Sequence, residues 1–247
     1  MVVRRDEAVV LRTHDLGEAD RIITLLTRRG GRVRAVAKGV RRTRSRFGGR
    51  LEPGAHVDLQ LWTGRSLDIV REAVGIAEYG DRVLRDYAAH TCAQAVLETA
   101  ERLTAEEGEP APRLFALVLG ALNALSTGEH PSSLVLDAFL LRAMAGAGYG
   151  FALLSCARCE APGPHRAFSV PLGGGVCPEH RPPGCASPDA AALVLMAALL
   201  EGDWAATRTG AVTEDRIRQQ ASTLVASLVQ WHLDARLRAL PLVERGA

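Results

Sequence analysis

The 247-residue sequence predicts an α+β fold: a small five-stranded barrel over residues 1–80, then an all-helical domain over 81–247. Three observations carry this. The first 80 residues alternate apolar and polar with period two and are cut by glycine-containing turns. After Gly80 the apolar spacing becomes helical. Inside the helical part, four of the five cysteines crowd into Cys156–Cys185, marking an inserted loop at about 152–186.

The strands follow in order. Glu7–Thr13 (EAVVLRT) is the first and Arg21–Thr27 (RIITLLT) the second, with a turn at Arg29-Gly30-Gly31. Arg32–Lys38 sets Val33, Ala35 and Ala37 on one face and Arg32, Arg34, Val36 and Lys38 on the other. Val57–Trp62 is the fourth strand, ended by Thr63-Gly64-Arg65, and Leu67–Ala77 holds the fifth. Five short strands leave exposed edges unless the sheet closes on itself. The five-stranded oligonucleotide-binding barrel is the common small solution.

The helices come next. Arg82–Leu103 is rich in Ala, Leu and Glu, while Arg113–Leu125 and Leu134–Ala145 are apolar on most faces, as buried helices are. Ser187-Pro188 reads as a helix start, with Ser as N-cap and Pro at the first helical position. A last helix begins near Thr213, with a seam of Ile217, Ala221, Leu224, Leu228, Trp231 and Ala235, and ends at Pro241. Glu106–Pro112 is a loop within the helical domain.

Composition excludes several classes. Hydrophobic residues are 47% and charged residues 23%, which excludes a disordered chain. No apolar signal segment follows the N-terminus, and no charge-free stretch reaches the length of about 18 residues that a membrane span needs. The expectation is a cytoplasmic protein without a membrane partner. The total net charge of +2 hides a division. Residues 1–80 carry 16 basic and 10 acidic residues, net +6, and the rest carry 14 and 18, net −4. Arg28 to Arg50 holds ten basic residues and no acid. The core of the run, Lys38–Gly49, reads as a mobile loop between strands three and four that tracks a phosphate backbone by counterion release. Phe47 is the aromatic within it and is expected to stack on a base. Aromatics are otherwise sparse, which favours backbone binding over base reading. No phosphate-binding P-loop, dinucleotide fingerprint or nucleophile elbow is present, so no catalysis is expected.

Cys156-Ala-Arg-Cys159, seventeen residues, then Cys177-Pro-Glu-His180 has zinc-site spacing, with His in the last place. Two residues between ligands let one tight turn aim both side chains at one ion, and thiolate with imidazole suits tetrahedral zinc. Gly173-Gly174-Gly175 frees the backbone before the second turn. Cys185 is the alternative fourth ligand; the compact x2 spacing favours His180. Ordinary metal-free thiols in a loop are the other reading. A closed set of four ligands makes the zinc structural, one per chain.

The order of these features resembles the RecO family of bacterial recombination mediators. The resemblance rests on Ala8–Thr13 with Leu16–Arg21, Ala37–Arg42, Ser45-Arg46-Phe47, Leu51-Glu52-Pro53-Gly54 and the Cys156/Cys159/Cys177 cluster, and spans essentially the whole chain. It implies binding of single- and double-stranded DNA and annealing of complementary strands. It also implies pairing with RecR, contact with the C-terminal tail of single-stranded DNA-binding protein, and loading of RecA onto coated strands in recombinational repair, in a nucleoid-associated cytoplasmic setting. DNA contact is carried onto Arg32, Arg34, Lys38, Arg41, Arg42, Arg44 and Arg46. Many relatives have a fourth cysteine where this chain has His180. Two other readings compete: a zinc-dependent nucleic-acid hydrolase with Glu179 as base, and a zinc-ribbon transcription or translation factor.

Overall fold

A computed structural model describes residues 3–77, 79–233 and 237–243. Its chain divides into two compact units, Met1–Glu129 and His130–Ala247.

The first unit opens with five strands, β1 (Val3–Leu16), β2 (Asp20–Thr27), β3 (Gly31–Ala37), β4 (His56–Trp62) and β5 (Asp68–Ala77). They close into a barrel in the order β1-β2-β3-β5-β4. All pairings are antiparallel except β3 with β5, which run parallel at Ala35–Asp68 and Val36–Ile69. The predicted five-stranded barrel is thus present. β1 is twice the length expected because it serves two neighbours: Val3–Val9 pairs with β4 and Ala8–Leu16 with β2. A register shift between Val10 and Arg12 turns the strand from one partner to the other. Its ends carry charges on both faces, so their alternation is invisible in sequence.

The barrel interior is built from one face of each strand: Ala8 and Val10, Ile23 and Leu25, Val33, Ala35 and Ala37, Val57, Leu59 and Leu61, Val70 and Ala73. Burying each large aliphatic side chain contributes about 1.5–3 kcal/mol before chain entropy is counted. Phe47, Val40 and Leu51 complete this core from the β3–β4 connection. Three helices follow, α1 (Gly80–Arg85), α2 (Tyr87–Leu103) and α3 (Pro112–Thr127). The predicted helix over 82–103 is divided at Asp86, whose carboxylate accepts from the Ala89 amide at 3.1 Å and so starts α2 afresh. α2 lies on β1, with Arg12 and Glu101 forming an ion pair at 3.7 Å.

The α2–α3 connection docks on β3. Glu107 forms a parallel bridge with Arg32, and the Gly108 amide donates to the Arg32 carbonyl at 3.1 Å. The chains come so close that a Cβ on Gly31 would sit 1.7 Å from the Glu109 carbonyl oxygen, at a φ of +64°. Only glycine fits there.

The second unit contains α4 (Ser132–Gly146), α5 (Ala190–Glu201) and α6 (Asp215–His232). Between α4 and α5 runs an irregular loop stiffened by a two-stranded ribbon, β6 (Phe168–Ser169) with β7 (Gly174–Gly175). α5 starts two residues later than Ser187-Pro188 predicts. Asp189 is the N-cap and accepts from the Ala191 amide at 3.0 Å, an acceptor as good as serine. In α6 the seam residues Ile217, Ala221, Leu224 and Leu228 are buried, but Trp231 is 59% exposed, and Ala235 lies outside the described residues. The helix ends at His232, and Pro241 sits instead in a short turn over Leu240–Leu242. Asp137 on α4 is buried and accepts from the Ser222 hydroxyl of α6 at 3.2 Å. Among the described residues no helix is long and apolar enough to cross a membrane.

Candidate nucleic-acid interface and metal centre

The segment from Lys38 to Leu51 joins β3 to β4 and is anchored rather than loose. Val40, Phe47 and Leu51 point into the barrel; Phe47 is 1% exposed. Phe47 is therefore a core residue and is not placed to stack on a base. The Asp20 carboxylate accepts from the Gly39 amide at 2.7 Å, and the Arg41 amide donates to the Ala19 carbonyl at 3.0 Å. These bonds fasten the segment to the β1–β2 turn.

Between the anchors the basic side chains are exposed: Lys38, Arg41, Arg42, Arg44, Arg46 and Arg50. Their partners differ. Arg41 pairs with Asp15 at 3.3 Å and donates to the Gly17 carbonyl. Arg46 lies over the Phe47 ring, 4.8 Å from its centroid, and reaches the Val70 carbonyl. Lys38, Arg42 and Arg44 have no side-chain hydrogen bond or ion pair among the described residues. These three cations are the least neutralised part of the run.

Upstream residues of the run are more heavily engaged. Arg28 pairs with Glu7 at 2.9 Å and Arg29 with Asp6 at 3.3 Å. Arg32 donates to the Ala105 carbonyl, and Arg34 forms an ion pair with Glu107. The run contains no acid in sequence, yet the fold brings acids to it from β1 and from the α2–α3 connection. Among the seven residues expected to contact DNA, Lys38 to Arg46 thus form one surface, while Arg32 and Arg34 lie on β3 against the acidic connection.

A pairing of a buried histidine with a half-buried glutamate escapes a reading of the sequence alone. His56, 5% exposed, places Nε2 2.7 Å from Glu7 Oε1, with Tyr79 stacked at 6.4 Å and Phe115 edge-on at 6.2 Å. Burial pushes the Glu7 carboxyl up, but hydrogen bonds from Arg28 and His56 outweigh it and hold the group below the ordinary glutamate value. The histidine and the glutamate are 49 residues apart, so no local signal joins them.

The second unit brings Cys156, Cys159, Cys177 and His180 together, with one ligand atom of each within 4.8 Å of the others. Cys159 Sγ is 3.9 Å from Cys177 Sγ, and Cys177 Sγ is 3.2 Å from His180 Nδ1. A tetrahedron with metal–sulfur bonds of about 2.3 Å has edges of about 3.8 Å, so the spacing suits an ion. It is far too long for a disulfide, and Cys156, Cys159, Cys177 and Cys185 are all thiols. The amides of Cys177, Arg158 and Cys159 donate toward Cys156 Sγ and hold that thiol down to about 6, close to the thiolate form a metal requires. β6 and β7 position the two turns. A Cβ on Gly174 would sit 2.5 Å from the Ala152 carbonyl oxygen, so glycine lets the strands before each ligand pair touch. Cys185 stands outside this group and lines an open cleft of about 620 Å³ beside Arg158 and Arg181.

Barrel, anchored basic loop and cysteine–histidine loop, in this order, define a two-part protein: a strand barrel with a helical, metal-capable unit. The chain belongs to the RecO family: the model described as Recombination protein O N terminal matches residues 1–79, and Recombination protein O C terminal matches residues 84–241. Among its relatives, the DNA repair protein RecO of Frankia casuarinae is 58% identical over 247 residues, covering 100% of both chains.

Proposed function

We propose that this chain is a DNA-binding recombination mediator that acts without covalent chemistry. It binds single- and double-stranded DNA through the barrel, anneals complementary strands, and with RecR helps load RecA onto strands coated with single-stranded DNA-binding protein. The observation that carries the DNA reading is the exposed surface of Lys38, Arg42 and Arg44, cations that no acid neutralises among the described residues. A surface of this kind lowers the repulsion between two phosphate backbones by displacing their counterions. The name of the Frankia relative supports a role in DNA repair. The helical part, net −4, is the side for protein partners such as RecR, and the acidic tail of single-stranded DNA-binding protein calls for an apolar pocket with a basic rim on it.

Cys156, Cys159, Cys177 and His180 would hold one structural zinc. A metal there cross-links the two turns of the loop, and four protein ligands leave no open position for a reactive water. Glu179 lies beside the ligands without belonging to them.

Annealing of complementary oligonucleotides, bare and coated with single-stranded DNA-binding protein, tests this. The protein is expected to speed annealing in both. Replacing Lys38, Arg42 and Arg44 with Ala is expected to slow it, and the salt slope of binding should flatten by about 0.7–0.9 for every phosphate that is no longer neutralised. Unchanged annealing with and without protein overturns the reading; metal-dependent cleavage of the strands points to the hydrolase instead.

A further inference from the structure

The solvent face of the barrel carries an apolar row that ordinary strand alternation would make polar. Register defines it. Ile22 of β2 is opposite Val36 of β3, Val36 is opposite Ile69 of β5, and Ile69 is opposite Trp62 of β4. Each has an inward neighbour that is fully buried: Ile23, Ala35, Val70 and Leu61 are all 0% exposed. The four row residues therefore point outward, and all are half-buried. Three inter-strand spacings of about 4.8 Å make the row about 14 Å long.

Its Trp62 end is built for more than packing. A register shift between Gln60 and Leu61 leaves Arg71 of β5 as an extra residue, and its guanidinium lies over the Trp62 ring, 5.2 Å from the centroid. Arg71 is exposed and has no ion pair among the described residues; nor does Arg65 in the adjoining β4–β5 turn. Lys38, just past the end of β3 and two residues beyond Val36, is likewise without an acid among the described residues. The nearby carboxylate of Asp68 is taken up by Arg4. The row thus pairs a flat apolar and aromatic strip with cations free to meet an anion.

We infer that this row, centred on Trp62 and Arg71, is a stacking platform for unpaired bases of single-stranded DNA. The charge pattern selects the occupant. A single strand offers both flat apolar faces and regularly spaced phosphates, whereas a duplex hides its base faces inside the stack. Indole rings and guanidinium planes both accept bases face-on, without regard to sequence. The platform rests on the DNA-binding reading above and adds to it: the Lys38–Arg46 loop grips backbone of either form, and Trp62 distinguishes the single strand.

The test uses the full chain with oligo(dT), an abasic strand of equal length, and a duplex. Trp62→Ala is expected to weaken oligo(dT) binding about 5- to 160-fold, the range for one base stacked on an aromatic ring, and Arg71→Ala to weaken it as well. The salt slope of Trp62→Ala should stay that of the parent, and its affinity for duplex and abasic strand should not change. Trp62→Phe, which keeps a ring, should retain most of the affinity. The other tryptophans are Trp204 and Trp231. In a Trp204→Phe/Trp231→Phe background, oligo(dT) should quench the fluorescence of Trp62. Equal oligo(dT) affinity for parent and folded Trp62→Ala, or a parent that binds abasic and thymidine strands alike, overturns the platform and leaves the DNA-binding reading intact. A parent that binds no DNA at low salt overturns both.

Discussion

Half-buried Glu7 accepts from two partners, receiving Arg28 on one oxygen and His56 on the other. Because its carboxyl is held below the ordinary value, the stabilisation it contributes is complete above about pH 4.3, the unfolded-state reference. It is lost as pH falls through the folded value. Glu7→Gln should therefore lower the urea midpoint at pH 7 by the equivalent of about 1 kcal/mol, and the gap between parent and variant should close as pH falls through the folded value. A gap that stays constant as pH falls would assign the effect to packing. Phe47 teaches a related lesson. Flanked by arginines and glycines, it looks like a ligand contact, yet it fills the barrel. Sequence neighbours report charge, not direction, and direction decides the role of this ring.

At the scale of elements, the strands are readable in the sequence and their partnerships are not. β2 to β5 lie within a residue or two of where period-two alternation puts them, because one face of each is buried and the other wet. The row from Ile22 to Trp62 exists only through the registers of four strands and one bulge, and no linear pattern reveals it. The α2–α3 connection is similar. As sequence, Glu106–Pro112 is a polar loop; folded, its Glu107 neutralises Arg34, 73 residues away. Glu107→Gln should free that guanidinium. DNA binding in a salt titration is expected to tighten a few-fold at low salt, with a slope steeper by just under one. Thermal stability should change little, since an exposed ion pair contributes about 0–1 kcal/mol. An unchanged slope would mean that β3 lies off the DNA path. The cysteine–histidine loop is the most legible element, because two x2 pairs fix their own geometry locally. The preference for His180 over Cys185 likewise rests on turn size.

The whole molecule joins two compact units of different means of support, a barrel with a continuous apolar core and a helical unit with an irregular loop of about 40 residues between α4 and α5. Apart from buried residues such as Phe168 and Val176, a loop of that kind has little regular structure, so a metal would add to its order. Metal analysis should give about one zinc per chain, retained in Cys185→Ser and lost in Cys156→Ser/Cys177→Ser. Chelation is expected to lower the melting of the 130–247 unit selectively, read by hydrogen exchange region by region. Uniform exchange with and without chelator would leave the cluster as plain thiols. The charge totals belong to this scale too. Their near-cancellation conceals a basic part and an acidic part, and only division along the chain makes either visible.

The close approach of Gly31 and Glu109 has a consequence for cutting the molecule apart. β3 is paired on one side along its length, but β5 covers its other side only at Ala35 and Val36. Residues 105–109 shield the remainder. A fragment ending at residue 80, where strands give way to helices, would bare that strand edge and invite pairing with a second copy. Such a fragment should self-associate in sedimentation, whereas one ending at residue 129 should stay monomeric. A barrel that keeps the segment guarding its seam is expected to behave as a self-contained piece, as the sedimentation comparison would show.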